Sequence, residues 1–592
     1  MNFRSLREFV RFLESVGELK RVRVEVDPTL EITEIASRGL RQGMPALLFE
    51  KVKGSRYPLV INTLASERRI ELALGKHPDQ LGSELLQLVE RSFPPTLRNI
   101  FRERSMIGRL FSSRPRRVSR ALCQQVVDPP DLEALPSVQC WPKDGGKFIT
   151  LPQVFTYHPH NGQRNVGMYR MHVFDKSTTG MHWQIQKGGG FHYYEADKAN
   201  RPFELAVALG TDPASLLATV AALPEGMDEM MFAGFLRNER TDMVRGRTIS
   251  IDVPANAEFV LEGVVHPHER RLEGPFGDHF GHYSAASEFP VFHVSAITHR
   301  KDPVYPATVV GIPPMEDKFL GNATQQILGP LAKVIHSEVR SLWAYYEAGF
   351  HNLLVVAIEE RYQKEAMKTA LGLMGTGQLS LTKCIIAVSE NVDPRNFSAV
   401  LAALCENFDP HYDFIMLPKV PLDTLDFTSF KMNLGSKMIL DATRKTERAV
   451  KKPKKMSLEA RDIQSMDRRI RDARCIENCL LLVKVEGQGR AVVEKLVRRP
   501  ELSSLRVIAA VSDDIDLSVP ESYIWGIFTR FDCERDVVFT KQKLIGISPI
   551  YEGVMGIDAT WKKGYPETLV MKDEIIRKVD RANHASCRCD TW

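Results

Sequence analysis

The chain has 592 residues, 43% hydrophobic and 26% charged, with 79 basic against 74 acidic side chains and a formal net charge of +5. That length is too great for one hydrophobic core, so about three domains are expected, and so small a basic excess is no footprint for nucleic acid. No apolar run approaches the ~18 residues of a membrane span, and the nine scattered cysteines make no disulfide framework.

The first segment, MNFRSLREFVRFLESVGELK, places Leu6, Phe9, Val10, Leu13 and Val16 at helical spacing behind a Ser5/Glu8 capping box. It lacks the continuous apolar stretch of a secretory signal, and Glu8 and Glu14 do not suit a transit peptide, so a cytoplasmic protein is expected. The helix ends at Gly17. LKRVRVEV (19–26), ALLFEKV (46–52) and PLVINTL (58–64) read as strands, and residues 1–100 form a small α/β domain.

Residues 101–147 are expected to be a linker. The basic stretch 101–120 reads either as a nucleic-acid or anionic-lipid patch or as a solvated linker helix, and sparse aromatic interleaving favours the helix. From 148 to 325 the pattern is short and β-rich: NVGMYRMHVF, MHWQIQ, ELAVALG, RTISIDV, EFVLEGVVH, VFHVSAITH and VYPATVVG, broken by Gly, Pro or Asp. An antiparallel barrel-like domain is predicted there. An α/β domain follows at 326–446, a charged linker at 447–478, and a further α/β unit with a tail at 479–592.

The last of these repeats the one before it. Ala387–Asp393 (AVSENVD) matches Ala510–Asp516 (AVSDDID) at an offset of 123, as Phe408-Asp409 and Asp413 match Phe531-Asp532 and Asp536. LDAT (440–443) matches IDAT (557–560), and LLVVAIE (353–359) resembles LLLVKVE (480–486). The preserved order points to a degenerate internal duplication. Only the first copy carries a lysine, Lys437, before its Asp-Ala-Thr. Of the close cysteine pairs, neither Cys475/Cys479 nor Cys587/Cys589 has the spacing of a structural zinc site.

Three constellations can carry chemistry. Glu273-Gly-Pro-Phe-Gly-Asp278 sets two carboxylates around a turn. In a dry pocket one of them holds a proton near neutrality as a general acid, whereas on the surface both are solvated. Arg170, in the strand that begins at Asn165, either clamps a substrate carboxylate or pairs with an acid at the rim; alternation puts it opposite Asn165 unless Gly167 bulges. The segment HWQIQKGGGFHYY (182–194) is predicted as a glycine loop, with His182 and His192 as ligands or rim residues.

In this order, NVGMYRMHVFDKSTTGMHWQIQKGGG (165–190), LPEGMDEMMFAG (223–234), DVPANAEFVLEG (252–263), LEGPFGDHFGHY (272–283) and LGSKMILDAT (434–443) resemble the UbiD family of carboxy-lyases, from about residue 3 to about 446. The resemblance implies a split-barrel flavin-binding domain and a prenylated FMN held with a divalent metal (typically Mn²⁺) and often K⁺. It also implies a catalytic network of Arg170, Glu273 and Asp278, with Asp278 as proton donor. Asn165 and Glu229 match two metal ligands, and Lys437 matches a lysine near the flavin phosphate. The third ligand, a histidine in the family, falls on Gln186 here, or on His182 or His192 in a shifted alignment. Met168, Tyr169, Lys187 and Gly188 complete the implied cofactor contacts. The implied reaction is decarboxylation of an aromatic acid, either a polyprenylated hydroxybenzoate of ubiquinone synthesis or a naphthoate of menaquinone synthesis. A flavin prenyltransferase would supply the cofactor, the chain would form homo-oligomers, and peripheral membrane contact would suit a prenylated substrate. A non-catalytic flavin- or nucleic-acid-binding protein on the same scaffold is the rival.

Overall fold

The computed structural model describes residues 2–92, 108, 113–184, 188–224, 226–429, 431, 434–445 and 456–586. The chain divides into two units: Met1–Leu328 with Glu567–Trp592, and Gly329–Pro566. The second is thus inserted in the chain between two segments of the first.

In the first unit the N-terminal helix Leu6–Ser15 is capped by Ser5, whose side chain accepts from Glu8 N–H, and buries Leu6, Phe9, Val10 and Leu13. Leu19–Val26, Ala46–Val52 and Leu59–Ile61 form a sheet in that order, completed by Tyr305–Ala307 from more than 240 residues downstream. The continuous apolar runs fit strands covered on both faces.

The central sheet runs Thr178–Gly180, Ser287–His299, Phe259–Glu273, Phe203–Leu209, Gln153–Tyr157, Arg164–Met168, antiparallel throughout, with Val126–Asp128 added to Ser287–His299. The predicted antiparallel pattern is present; among the described residues its strands form no closed barrel. The two end strands have three and five residues and do not pair with each other, so the sheet stays open. Its long hairpin, Phe259–Glu273 with Ser287–His299, has irregular register after Glu262 and again between Val265 and Arg270, the kind of bulge that twists a sheet and re-aims side chains. Leu205, Val207, Phe259, Leu261 and Phe292 are fully buried in its core.

Three local expectations fail. Met181–Gln184 has no regular structure, and Ile185, Gln186 and Lys187 lie outside the described residues. Of RTISIDV only Asp252 and Val253 are in a strand, Asp252–Pro254. The glycine run opens a helix, Gly188–Lys198. Its glycines serve close approach: a Cβ on Gly188 would lie 2.1 Å from the Asn165 amide, and one on Gly190 would lie 2.6 Å from the Gln184 carbonyl. In the basic stretch, residues 101–107 and 109–112 lie outside the described residues. Arg116–Arg117 is a short strand beside Asp242–Arg245, with Arg116 paired to Asp242 and Arg117 to Asp252.

The second unit holds two five-stranded sheets of one topology. The first runs Val339–Ala344, Leu354–Ile358, Cys384–Ser389, Gly435–Ala442, Phe414–Val420, and the second Ile470–Ile476, Leu480–Val485, Val507–Val511, Ser548–Ala559, Val537–Ile545. Both pair antiparallel, parallel, parallel, antiparallel. The repeated aspartates close equivalent turns. Asp413 accepts from Asp409 N–H at 3.0 Å and Asp536 from Asp532 N–H at 2.8 Å. Asp441 and Asp558 likewise accept from Thr443 and Thr560 N–H. Ile470–Ile476 falls within the stretch expected as a charged linker; its exposed Arg471 and Asp472 mask the alternation.

Candidate active site

The long hairpin ends at Glu273. The chain then turns through Gly274-Pro275 into a smaller hairpin, Phe276–Gly277 paired with Tyr283–Ser284. Asp278 begins the turn of this hairpin: its N–H donates to the His282 carbonyl at 3.1 Å, and its carbonyl accepts from Gly281 N–H at 2.9 Å. Opposite lies Arg170, in the break between the strands Arg164–Met168 and Met171–His172. Because regular strand stops at Met168, the alternation expected from Asn165 onward does not reach Arg170.

Arg170 joins the two carboxylates. Its Nη1 pairs with Asp278, its Nε faces Glu273 Oε1 at 3.4 Å, and its Nη2 donates to Ser284 Oγ at 2.9 Å. The guanidinium also stacks 4.7 Å over the centroid of the Phe276 ring. Glu273 is 1% exposed and Asp278 7%, so the pair is buried and not a solvated turn. His182 Nδ1 lies 2.8 Å from Glu273 Oε1 and its ring packs on Phe289, 4.2 Å away. Burial, then the charge of Arg170, pushes the His182 imidazole down, so it is neutral and donates to Glu273. Glu273 Oε2 is buried without a hydrogen-bond partner, close to Gly180, where a Cβ would approach it to 2.7 Å.

Asp278 departs from the expectation of a protonated acid. Burial raises its pKa, but Arg170 and three interactions with His279 outweigh burial and hold the carboxyl well below the usual range. His279 N–H donates to Asp278 Oδ1 at 2.8 Å, and its Nδ1 lies 2.8 Å from the same oxygen.

Asp144 and Ser284 were not singled out from the sequence, and Phe276 and His279 stood in the acidic motif without a role. Asp144 Oδ1 accepts from Gly277 N–H and its Oδ2 from Trp141 N–H, both at 2.8 Å, which fixes the backbone just before Asp278. Burial pushes Asp144 up to about 7 against those hydrogen bonds. Nothing in WPKDGG marks this aspartate, since its partners are backbone groups brought together by the fold.

A second polar corner gathers other predicted residues. Glu229 begins the helix Glu229–Arg237 and accepts from Val166 N–H at 3.1 Å, next to Asn165. Burial pushes Glu229 up to about 7. The Asn165 amide, oriented with its oxygen toward Gly189 and Val166 N–H, sits against the start of the Gly188–Lys198 helix. Tyr169 hydroxyl also accepts from Gly189 N–H, at 3.2 Å. Gly188 packs against Asn165, and the partly buried Met168 ends the strand that carries Asn165. An amide oxygen and a carboxylate are hard donors that fit a divalent cation such as Mn²⁺, and a helix N-terminus fits a phosphate. Among the described residues no group of three His, Cys, Asp or Glu could hold a metal, so a site here needs the Asn165 amide or donors from a ligand. Gln186 and Lys187 lie outside the described residues. His192 Nδ1 lies 3.0 Å from Thr156 Oγ1, and burial pushes its pKa down to about 4. Lys437 lies in the second unit, where its ammonium donates to the Ser380 carbonyl and burial lowers it to about 8.

Family models match most of the chain. The 3-octaprenyl-4-hydroxybenzoate carboxy-lyase N-terminal domain matches 10–89, the Rift-related domain 116–313, and the C-terminal domain 318–442 and 467–559. A 4-hydroxybenzoate decarboxylase subunit of Chlamydia pneumoniae is 34% identical over 587 residues, 98% of each chain. The vanillic acid decarboxylase of Sedimentibacter hydroxybenzoicus superposes with a TM-score of 0.68 at 28% identity, covering 76% of this chain and 95% of that one. An evolved dimeric form of the UbiD-class enzyme HmfF from Pelotomaculum thermopropionicum, in complex with prFMN, gives 0.62 at 28% identity, covering 78% and 100%. With all three domain models matched in order and a relative aligned along nearly its whole length, the chain belongs to the UbiD family.

Proposed function

We propose that the chain is a carboxy-lyase that removes CO₂ from a hydroxylated aromatic acid with prenylated FMN as cofactor. The observation that carries this reading is the buried Arg170 guanidinium set between Glu273 and Asp278. When bound, prenylated FMN would supply the electron sink that no side chain offers to a ring losing carboxylate. Asn165 and Glu229, with Mn²⁺, are the residues that would hold its phosphate end; Lys437, Gln186, Lys187 and K⁺ are further candidates from the family resemblance.

The side chains supply binding and proton handling. Arg170 grips the substrate carboxylate bidentately. Once it does so, its charge is shared, and Asp278 keeps His279 but loses the largest single influence that holds it ionised. Burial then counts for more, the Asp278 pKa rises, and the carboxyl takes up from solvent the proton it delivers to the ring carbon that CO₂ leaves. Glu273, buttressed by neutral His182, keeps Arg170 oriented throughout. Low pKa in the resting site and proton donation in the loaded one are therefore two states of one residue.

The Chlamydia relative and the vanillate enzyme favour a hydroxybenzoate-type acid. Whether the ring is polyprenylated, as in ubiquinone synthesis, or is a menaquinone-pathway naphthoate is decided by assay. The test is co-expression with a flavin prenyltransferase, purification with Mn²⁺, and measurement of flavin absorbance and CO₂ release from benzoates and naphthoates. A flavin-loaded protein that releases CO₂, and loses about 10²–10⁴-fold in rate with Asp278→Asn, supports the proposal. A flavin-free, inert protein overturns it and favours the non-catalytic reading.

A further inference from the structure

The hairpin that carries Asp278 is too small to stand alone. It pairs two residues with two, and even full two-stranded hairpins are marginal in water. What completes it comes from the far end of the chain. Thr568 forms an antiparallel bridge with His282, Tyr283 N–H donates to the Glu567 carbonyl at 3.1 Å, and Leu569 N–H donates to the Gly281 carbonyl at 3.0 Å. Residues 567–569 thus run as a third strand along the return limb of the hairpin.

Side chains follow the same pattern. Leu569 is 3% exposed, Val570 68% and Met571 7%, the alternation of a strand with one buried face. Leu569 presses on Gly277, the residue before Asp278: a Cβ there would meet Leu569 Cδ2 at 2.8 Å and Trp141 Cδ1 at 2.2 Å. Gly277 is therefore clamped between Trp141 and Leu569 while Asp144 holds its N–H. Lys143 pairs with Glu567, and its N–H donates to Tyr283 Oη at 3.2 Å. Beyond the strand, the helix Asp573–Ser586 is anchored on Glu31–Arg41: Lys578 bridges Glu31 at 2.8 Å, Arg38 bridges Asp580, and Val579 is buried. The family models end at residue 559, so none of this segment belongs to the matched domains.

We infer that residues 567–571 are a positioning strap for the active site: they hold the Asp278 turn at the height where its carboxyl meets Arg170 and the substrate, and Leu569 is the residue through which they act. The inference deepens the proposed decarboxylase function and rests on it for its catalytic arm. Its structural arm does not.

The test uses the full chain, with cofactor, as Leu569→Pro and Leu569→Ala. Proline removes the N–H that bonds Gly281, and alanine keeps that bond while releasing Gly277. Backbone hydrogen exchange reads the turn directly. Proline is expected to speed exchange at 277–284 while leaving Phe259–Leu272 protected, with alanine intermediate. Misplacing a proton donor by about 1 Å costs on the order of 10²-fold, so kcat is expected to fall toward that level with KM changed little, because Arg170 stays in place. Unchanged exchange at 277–284 in the proline variant would overturn the strap. Faster exchange with unchanged kcat would overturn its positioning role. A wild-type chain that releases no CO₂ would instead count against the decarboxylase reading, and the exchange result would still decide the strap.

Discussion

The first unit has two acidic corners that differ in one respect. Asp278 has a cation beside it, Arg170, and is held far below the usual carboxylate range. Glu229 is partly buried, but Arg164 pairs with Asp228, and Glu229 is pushed up to about 7. Two carboxylates in one unit thus titrate far apart, one well below the usual carboxylate range and one near neutrality. A carboxylate already matched to a cation is poised to lose that match when an anionic substrate arrives. One without a full match is poised to gain a cation from solution. The first suits proton transfer and the second suits a metal bridging to a phosphate.

Removing the cation is the most drastic way to break this contrast. Arg170→Ala is expected to lower turnover by about 10²–10⁴-fold, with partial recovery when guanidinium is added to the assay. Recovery by guanidinium would tie the loss to charge and shape at that point; none at any concentration would mean that Arg170 acts through the fold. A smaller effect is expected at the other corner. Glu229→Gln keeps an oxygen donor but not the charge, so retention of Mn²⁺ and flavin after gel filtration should drop on the order of 10–100-fold. Metal analysis and flavin absorbance measure it, and full retention would remove Glu229 from the site.

The third effect is on stability and leaves the chemistry aside: it concerns Asp144, whose pKa rises from an unfolded value near 3.8 to about 7 on folding. The folded protein therefore binds this proton more tightly than the unfolded chain. Its stabilisation is complete below about pH 4 and is lost as pH rises through about 7, a loss on the order of a few kcal/mol. Asp144→Asn cannot ionise. Measured by thermal unfolding, the variant should gain on the wild type between pH 5 and pH 8, whatever its offset at either pH. A constant difference across that window would mean that Asp144 titrates elsewhere.

Much of this was legible in the sequence where signals are local. Leu19–Val26 and Ala46–Val52 declare themselves by alternation and by apolar runs. The equal topology of the two sheets in the second unit was signalled by matching aspartates, which close equivalent turns in both. Arg170, Glu273 and Asp278 were found as motif residues, yet the low pKa of Asp278 was not, because its largest lowering influence is a guanidinium 108 positions away in sequence. The glycine run misled for a related reason. Glycines 188–190 look like conformational freedom, but they answer to space around Asn165 and Gln184, which only the folded chain reveals. The open sheet was missed because alternation predicts strands and says nothing about whether the outermost two meet.

The insertion of residues 329–566 inside the first unit also sets an order of events during synthesis. At the pace of translation, ~5–20 residues per second, Arg170, Glu273 and Asp278 leave the ribosome well before the segment that braces them. More than 230 residues of another unit must first be made. Until Glu567–Met571 emerges, the hairpin around Asp278 has two short strands and no third, and Arg38 waits for Asp580 across most of the chain's length. Activity is therefore a late property of the nascent polypeptide: a ribosome stalled between residue 278 and residue 567 carries the reactive side chains without the strand that aligns them.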